Sequence, residues 1–239
     1  MSMLPLRALG FAEDVEIRGT ICDQWRGGRR LVILFGESHR DRQMKRLNVS
    51  DALALVTAEV VGCVGTEVPL CDFESLTRGS LREWSEQLFA THGSDEGVLA
   101  LLAERPPHWF GTFEFADALK VLRSELPVRC VEDPRLREEM KRIADAYCTA
   151  ELLELPPPFP EYPKMGDHPH NVQREQAMVE SLLEFWDGVA PASAAILNAG
   201  ADHCLRLARR LREHDISYFI ISHPRSPDPF SGATTHFPL

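Results

Sequence analysis

The chain has 239 residues, of which 44% are hydrophobic, and it carries a formal net charge of −10 at pH 7. A chain of this length can bury a large core, and α/β folds of this size commonly form one domain. The acidic balance, without a basic stripe, argues against nucleic-acid binding and against attraction to an anionic membrane. No run approaches the roughly 20 apolar residues that cross a bilayer, so we expect no membrane partner.

The N-terminus and the cysteines predict a cellular compartment. Residues 1–11 contain only scattered apolar side chains, so we expect no secretory signal peptide. The six cysteines lack Cys-x-x-Cys spacing, and Cys63, Cys130 and Cys204 lie in apolar segments where buried thiols are ordinary. We therefore expect reduced cysteines and a cytoplasmic protein.

The first half of the chain alternates strands and helices. Two β-rich runs, residues 15–22 and 30–35, flank a Trp25-Arg26-Gly27-Gly28 turn and predict a hairpin. Ser50 is the expected N-cap of the first helix, and Pro127 is expected to end the last helix of this half. The elements predicted after the hairpin are a helix at 52–61, a strand ending at 63–67, helices at 80–90 and 113–126, and a strand at 128–131.

The second half has the clearer rhythm. Pro134 opens a helix that reaches about residue 153, and a proline-rich loop follows at 155–171. The tail at 223–239 is expected to be irregular. The elements predicted between loop and tail are a helix at 172–186, a strand at 194–198, a helix at 201–213 and a strand at 216–222. This alternation predicts a single α/β domain over 1–239, with a mostly parallel central sheet flanked by helices on both faces.

Polar residues follow the carboxyl ends of the predicted strands. They are Glu37 with His39, Glu67, Glu132 with Asp133, Asp202 with His203, and His223. Ligands of open parallel sheets bind at this edge, so we expect these residues to converge. Arg174 stands four residues before Met178, on the buried side of its helix, where it needs an anion such as Glu67 or Asp133.

Two kinds of chemistry suit such a set. Two histidines and a carboxylate, here His39, His203 and Glu67, form a common three-ligand set for one divalent metal ion with a bound water. Without a metal, His39 oriented by Glu37 can act as a general base, and Arg174 can stabilise an oxyanion. Both routes end in hydrolysis.

Several other polar residues are expected to be structural. Asp133 before Pro134 suits a helix N-cap. Four further histidines and a run of arginines are expected to be solvated: His168, His170, His223, His236, Arg206, Arg209, Arg210 and Arg212. Gly36 and Gly200, by contrast, suit tight turns where the backbone must let a ligand approach.

Five short motifs occur in a fixed order. They are Gly36-Glu37-Ser38-His39, Gly65-Thr66-Glu67-Val68-Pro69, Val131-Glu132-Asp133-Pro134, Arg174-Glu175-Gln176-Ala177-Met178 and Gly200-Ala201-Asp202-His203. With these motifs, residues 31–222 resemble the erythromycin-esterase/ChaN-like group and the related TraB/TIKI group. Glu175 stands where that pattern has Asp or Asn. The resemblance implies an EreA/ChaN-like fold and a mixed set of activities, because the group includes macrolide esterases, metal-dependent peptidases, a haem-binding lipoprotein and a domain of bacterial toxins.

The sequence therefore predicts a hydrolase that acts on a small-molecule ester or a peptide. The expected site has His39 as base or metal ligand, Glu37 orienting it, Glu67 and His203 completing the polar site, and Arg174 holding an anion. The alternatives are a non-catalytic protein that binds a peptide, for example in a biosynthetic pathway, or haem, and a toxin- or effector-type domain.

Overall fold

The computed structural model describes residues 1–38, 41–70, 81–104, 114–190 and 193–224. Its strands are β1 (Ser2–Leu4), β2 (Val15–Ile17), β3 (Thr20–Trp25), β4 (Arg30–Glu37), β5 (Val61–Thr66), β6 (Val128–Cys130), β7 (Ala194–Gly200) and β8 (Ile216–Ser222). The α-helices of this part of the chain are α1 (Arg42–Thr57), α2 (Leu81–His92), α3 (Asp95–Glu104), α4 (Phe115–Leu122), α5 (Pro134–Leu152), α6 (Pro169–Val189) and α7 (Ala201–Glu213).

Six strands form the central sheet in the order β3-β8-β4-β7-β5-β6. The five strands from β8 to β6 are parallel, and β3 adds an antiparallel edge. Strands β1 and β2 form a separate antiparallel pair. The predicted α/β class with a mostly parallel sheet is confirmed.

Helices cover both faces of the sheet. Alternate residues of β4 show why: Leu31, Ile33 and Phe35 pack into one core with α1, α3 and α4, while Val32 and Leu34 pack into a second core with α6 and α7. A strand buried on both faces must be apolar on both, as this one is. Helix α5 packs outside α6. No helix of the described residues combines the length and apolar character that a membrane span requires.

The close approach of β4 to α7 depends on Gly36. A Cβ atom at this position would lie 3.3 Å from the Cα of Ala201 and 3.3 Å from the Sγ of Cys204. The glycine therefore makes room for the first turn of α7, whereas the sequence analysis assigned it to ligand approach. Gly200 is the N-cap of α7 with a φ of −54°, a conformation open to any residue. This packing brings the start of α7 to the carboxyl end of β4.

Two sequence predictions about elements are wrong, the hairpin and the start of the first helix behind Ser50. The hairpin between β3 and β4 does not form, because β8 lies between them and pairs with both. The first helix begins at Arg42 behind Asp41, whose side chain accepts from the Met44 amide at 2.9 Å. The apolar pattern did not indicate this start, because the first turns of the helix carry charged residues. Lys45 is buried there, and its Nζ lies 2.7 Å from the carboxylate of Glu114.

Two later helices also differ from the prediction. Helix α3 was not predicted. Helix α6 begins at Pro169, inside the predicted 155–171 loop and before the expected start at 172, because proline is well suited to the first position of a helix. The irregular tail was predicted from residue 223, and its residues 225–239 lie outside the described part of the chain.

Candidate functional site

The predicted site residues meet at the carboxyl edge of the sheet. Glu37 is the last residue of β4, Glu67 follows β5, and His203 lies in the first turn of α7. Arg174 reaches this edge from the second turn of α6. The structure brings Glu67, Arg174 and His203 into contact with one another. His39, the fifth predicted residue, lies outside the described residues.

Arg174 is the centre of this cluster. Its Nε donates to Glu132 and its Nη2 donates to Glu67, and both carboxylates are buried. Its third nitrogen, Nη1, lies 3.2 Å from Nε2 of His203. The expectation that a buried arginine pairs with an anion is met twice, by Glu67 and by Glu132. Asp133 is not one of these partners, because its side chain caps α5 by accepting from the amides of Arg135 and Leu136.

The charges of this cluster shift one another's pKa. Burial alone would lower the pKa of Arg174, but Glu67 and Glu132 outweigh it and hold that pKa above its ordinary value. Burial raises the pKa of Glu132, and the charge of Arg174 opposes that rise. The guanidinium therefore stays charged, and it keeps two buried carboxylates compatible with the low-dielectric interior.

Glu67 joins the end of β5 to the start of α7. Its Oε2 accepts a 2.7 Å hydrogen bond from the backbone N–H of Gly200, and its own N–H donates to the carbonyl of Asn198 at 3.0 Å. Gly200 is the N-cap of α7, so a carboxylate lies at a helix N-terminus, where the helix dipole favours negative charge. Glu67 is thus fixed between the sheet and the helix that carries His203.

The ring of His203 is held at both nitrogens. Nδ1 lies 2.8 Å from Oε1 of Glu175, and Nε2 lies 3.2 Å from Nη1 of Arg174. Arginine has only donors, so the second contact requires an unprotonated Nε2. The proton of the neutral ring is then on Nδ1, from which it donates to Glu175. The 3.3 Å approach of Arg206 Nη2 to Nδ1 is a close contact in this tautomer and not a hydrogen bond.

Glu175 is the site residue that the sequence analysis missed. It is 1% exposed, and besides His203 it accepts from Arg206 Nε at 2.7 Å and from Asn171 Nδ2 at 3.3 Å. Arg206 was predicted to be solvated, but it lies one turn after His203 and turns to the same carboxylate. Helical spacing could have pointed to Glu175, because Asn171 and Glu175 are four residues apart and share one face of the helix.

Glu37 is fixed by a different partner. It is 2% exposed, and its Oε2 accepts a 3.0 Å hydrogen bond from Asn198 Nδ2. The same amide lies 3.4 Å from the carbonyl oxygen of Phe35. Asn198 therefore ties the end of β4 to β7. The predicted role of Glu37 in orienting His39 stays a prediction.

A cleft of about 490 Å³ opens onto this cluster between α5 and α6. Its deep end holds Arg174, His203 and Asn171, which are all largely buried. The residues that line it are Pro134, Arg137, Glu138, Met140, Lys141, Ala144, Met165, Asn171, Arg174 and His203. His203 is therefore placed beside a space that a small molecule or a short peptide segment can enter.

The predicted metal set can be compared with this arrangement. Its described members, Glu67 and His203, lie 3.8 Å apart, and the guanidinium of Arg174 occupies the donor atoms of both. A cation at this point would face that positive charge, so these two residues as placed do not fit a metal ion. The described part of the chain has no group of three potential ligands, and the third predicted ligand, His39, lies outside it.

Two histidines expected to be solvated are buried. His223 is 4% exposed, and its Nε2 lies 3.0 Å from Oδ2 of Asp51, which also accepts from the Gly19 amide. His168 is 7% exposed and caps α6. Both lie next to a loop or the tail, where we expected solvent. Asp51, which is distant in sequence, contacts His223, and the rings of Phe159, Tyr162 and His170 lie beside His168. His170 is partly exposed beside Glu139, and His236 lies outside the described residues.

Comparison with known proteins does not assign the chain to a family. No protein-family model matches it, and no curated protein does. Among solved structures, the chain is similar to the type III effector HopBA1. The sequence identity is 14%, and the similarity covers 77% of this chain and 76% of that chain. The TM-score of 0.37 is too low for this similarity to carry an argument about function.

Proposed function

We propose that this chain is a hydrolase that cleaves an ester or peptide bond, with His203 as the general base. One observation carries the proposal: Glu175 holds Nδ1 of His203, and the unprotonated Nε2 faces Arg174 at the deep end of a cleft. A histidine oriented by a carboxylate, with its free nitrogen toward a substrate space, is the usual arrangement for general-base catalysis. The five motifs that resemble the erythromycin-esterase/ChaN-like group support the same class.

The proposed reaction needs only water as a second reactant. Water in the cleft replaces Arg174 as the partner of His203 Nε2 and gives up a proton to it while its oxygen adds to the carbonyl carbon. Arg174 Nη1 donates to the oxyanion that forms. The bond to the leaving oxygen or nitrogen then breaks, and His203 returns the proton to that atom. The products are a carboxylic acid and an alcohol or amine, which together contain the added water.

The other predicted residues support this reaction indirectly. Glu67 and Glu132 hold two nitrogens of Arg174 and so direct the third toward His203. Glu67 and Glu132 are therefore positioning residues. His39, which follows β4 in the sequence, stays a predicted base or metal ligand, and Glu37 stays its predicted partner.

The metal-assisted version remains a separate prediction, and no step above passes through a metal. Metal analysis of the purified protein and of its His39→Ala variant tests it. A retained divalent ion that disappears in the variant would support this version. No retained or activating ion in either sample would remove it.

Peptide binding without catalysis is the second candidate, and the pairing of Arg174 favours it. Two carboxylates already share the guanidinium, which weakens its pull on a developing oxyanion. Such a site can hold a peptide without stabilising a transition state.

Substitution of His203 decides between the two candidates. We expect His203→Gln to lower kcat on a panel of p-nitrophenyl esters and peptides by about 10² to 10⁴-fold, the usual contribution of a general base. His214→Gln is the matched control, because His214 is exposed at the opposite end of α7. Circular dichroism confirms that both variants are folded.

Two results would contradict the hydrolase. One is equal turnover by the wild type and the folded His203→Gln variant, and the other is no turnover of any panel member by the wild type. In the second case, peptide binding measured by calorimetry would support the non-catalytic candidate.

A further inference from the structure

The wall of the cleft that α5 forms has a defined chemistry. Arg137, Met140, Lys141 and Ala144 follow the spacing of one helical face, and all four line the cleft. Met140 is 5% exposed and gives this wall an apolar base. The two cations stand at the solvent side of the same wall. A ligand in the cleft would therefore meet apolar surface and positive charge together.

Most charges around the cleft are already paired. Glu67 and Glu132 share Arg174, and Glu175 accepts from Arg206. These pairs lie at the deep end of the cleft, beside His203. At the mouth, Glu138 lies 3.8 Å from Arg142, which takes up its charge on the outer side of α5.

Two cations of the cleft have little negative charge close to them. Arg137 comes no closer than 3.8 Å to Glu132, whose other oxygen already binds Arg174. Lys141 has no carboxylate within ion-pair distance in the described part of the chain. With the Glu138–Arg142 pair counted as well, five cations thus face four carboxylates: Arg137, Lys141, Arg142, Arg174 and Arg206 against Glu67, Glu132, Glu138 and Glu175. The cleft carries excess positive charge in a protein with a net charge of −10, and such a cleft attracts anions.

Asn171 supplies an independent observation at the deep end. It is fully buried, lines the cleft, and its Oδ1 has no hydrogen-bond partner among the described residues. The orientation of its amide is fixed, because Nδ2 donates to the carbonyl of Gly166 at 3.2 Å and to Glu175 at 3.3 Å. A buried acceptor without a donor costs free energy unless a ligand supplies one. A peptide N–H would satisfy it.

We infer that the cleft takes an amide-containing ligand with an anionic group, such as a peptide that ends in a free carboxylate. Asn171 accepts from the ligand N–H, the wall of α5 packs against its apolar part, and Arg137 and Lys141 attract its negative charge. This inference rests on the proposed function, because it takes the cleft to be the route by which substrate reaches His203. A phosphate group would satisfy the same cations.

Binding of three small ligands tests the inference without requiring turnover. The ligands are N-acetyl-alanyl-alanine with a free carboxylate, its C-terminal amide, and inorganic phosphate as a competitor. At low ionic strength we expect the acid to bind about fivefold more tightly than the amide, as an exposed ion pair worth up to about 1 kcal/mol allows. Displacement of the acid by phosphate would identify the cations as a general anion site, and no displacement would assign them to carboxylates.

Substitutions that remove positive charge test whether Arg137 and Lys141 cause the preference for the acid. In the double variant Arg137→Met and Lys141→Met we expect the preference for the acid over the amide to fall toward one. Arg135→Met is the control. This substitution removes the same kind of charge from the same helix, but Arg135 does not line the cleft. The control is expected to keep the preference.

The outcomes separate this inference from the proposed function. Equal binding of acid and amide, no binding of either, or equal loss in the Arg135→Met control would overturn the inference even if esters are hydrolysed. An acid preference that depends on Arg137 and Lys141, in a protein that hydrolyses nothing, would support the ligand class and contradict the hydrolase.

Discussion

The Nδ1 atom of His203 lies 2.8 Å from Oε1 of Glu175, and the preceding residue, Arg174, approaches the other ring nitrogen at 3.2 Å. Two consecutive residues of α6 thus hold both nitrogens of one imidazole on α7. The tautomer and the orientation of His203 are therefore set by how α6 and α7 pack.

Glu175 should act as a positioning residue for His203. We expect Glu175→Gln to lower kcat by up to about 10⁴-fold, because an amide in place of the carboxylate lets a general-base histidine adopt the wrong tautomer. Glutamine can also donate, so it no longer fixes the proton on Nδ1. Nitrogen-15 chemical shifts of His203 should show the Nδ1–H tautomer in the wild type and a mixture in the variant.

A matched substitution separates orientation from general damage. Glu180→Gln changes an exposed carboxylate of α6 whose partner is Gln176, so neither the activity nor the His203 tautomer should change. An unchanged tautomer in Glu175→Gln would contradict the positioning role even if activity falls.

Removing the guanidinium of Arg174 should destabilise the fold. Arg174→Met leaves Glu67 and Glu132 buried without their shared cation, and breaking a buried ion pair costs about 3–5 kcal/mol in free energy of unfolding. Arg137→Met is the control, because the 3.8 Å contact of Arg137 with Glu132 is half-exposed and should be worth about 0.5 kcal/mol or less. Chemical denaturation measures both.

The loss in free energy of unfolding that Arg174→Met causes should also depend on pH. Burial already raises the pKa of Glu132, and it should rise further without the cation. The folded variant then binds more protons than the unfolded chain at pH values above 4.5, so its stability falls as the pH rises through that range. The deficit against the wild type should be smaller at about pH 5 than at about pH 8. A deficit that does not change with pH would show that the carboxylates are not its cause.

His168 should make the stability sensitive to mild acid. Burial lowers the pKa of His168 below 6.5, and neighbouring His170 lowers it further. The folded protein then binds fewer protons than the unfolded chain, so this contribution is complete above pH 6.5 and is lost as the pH falls below it. His168→Asn keeps a good N-cap residue for α6 and should reduce this loss. Denaturation midpoints of both proteins across that range measure the difference. Parallel pH curves would rule out His168 as the source.

The cysteines should differ in reactivity. Burial raises the pKa of Cys63 and of Cys204 to about 12, so neither forms an appreciable thiolate near neutral pH. Cys22 and Cys148 are exposed. Iodoacetamide should label the exposed pair first, as peptide mass spectrometry of the native protein can show. Labelling of Cys204 as fast as Cys22 would mean that the core around α7 opens readily.

The fold class was predictable because apolar periodicity is a local property. Strand β8 and helix α7 were predicted with the boundaries that the structure has, since each is a short apolar or amphipathic run with clear ends. Helix α1 was predicted too short, because its first turns bury Lys45 and Asn48 rather than apolar residues. The side chain of each donates to a distant group, the carboxylate of Glu114 for the lysine and the carbonyl of Gly36 for the asparagine. No local pattern contains such partners.

The candidate site was likewise predictable only in part from the sequence. Strand ends and helix phase follow from the order of residues along the chain, so the pattern alone placed Glu67, Arg174 and His203 at one edge of a parallel sheet. The folded chain was needed to show that Arg174 bridges Glu67 and Glu132, that Glu175 holds His203, and that Arg137 and Lys141 line the same cleft. Those contacts depend on how α5, α6 and α7 pack, and packing is fixed by side chains far apart in sequence.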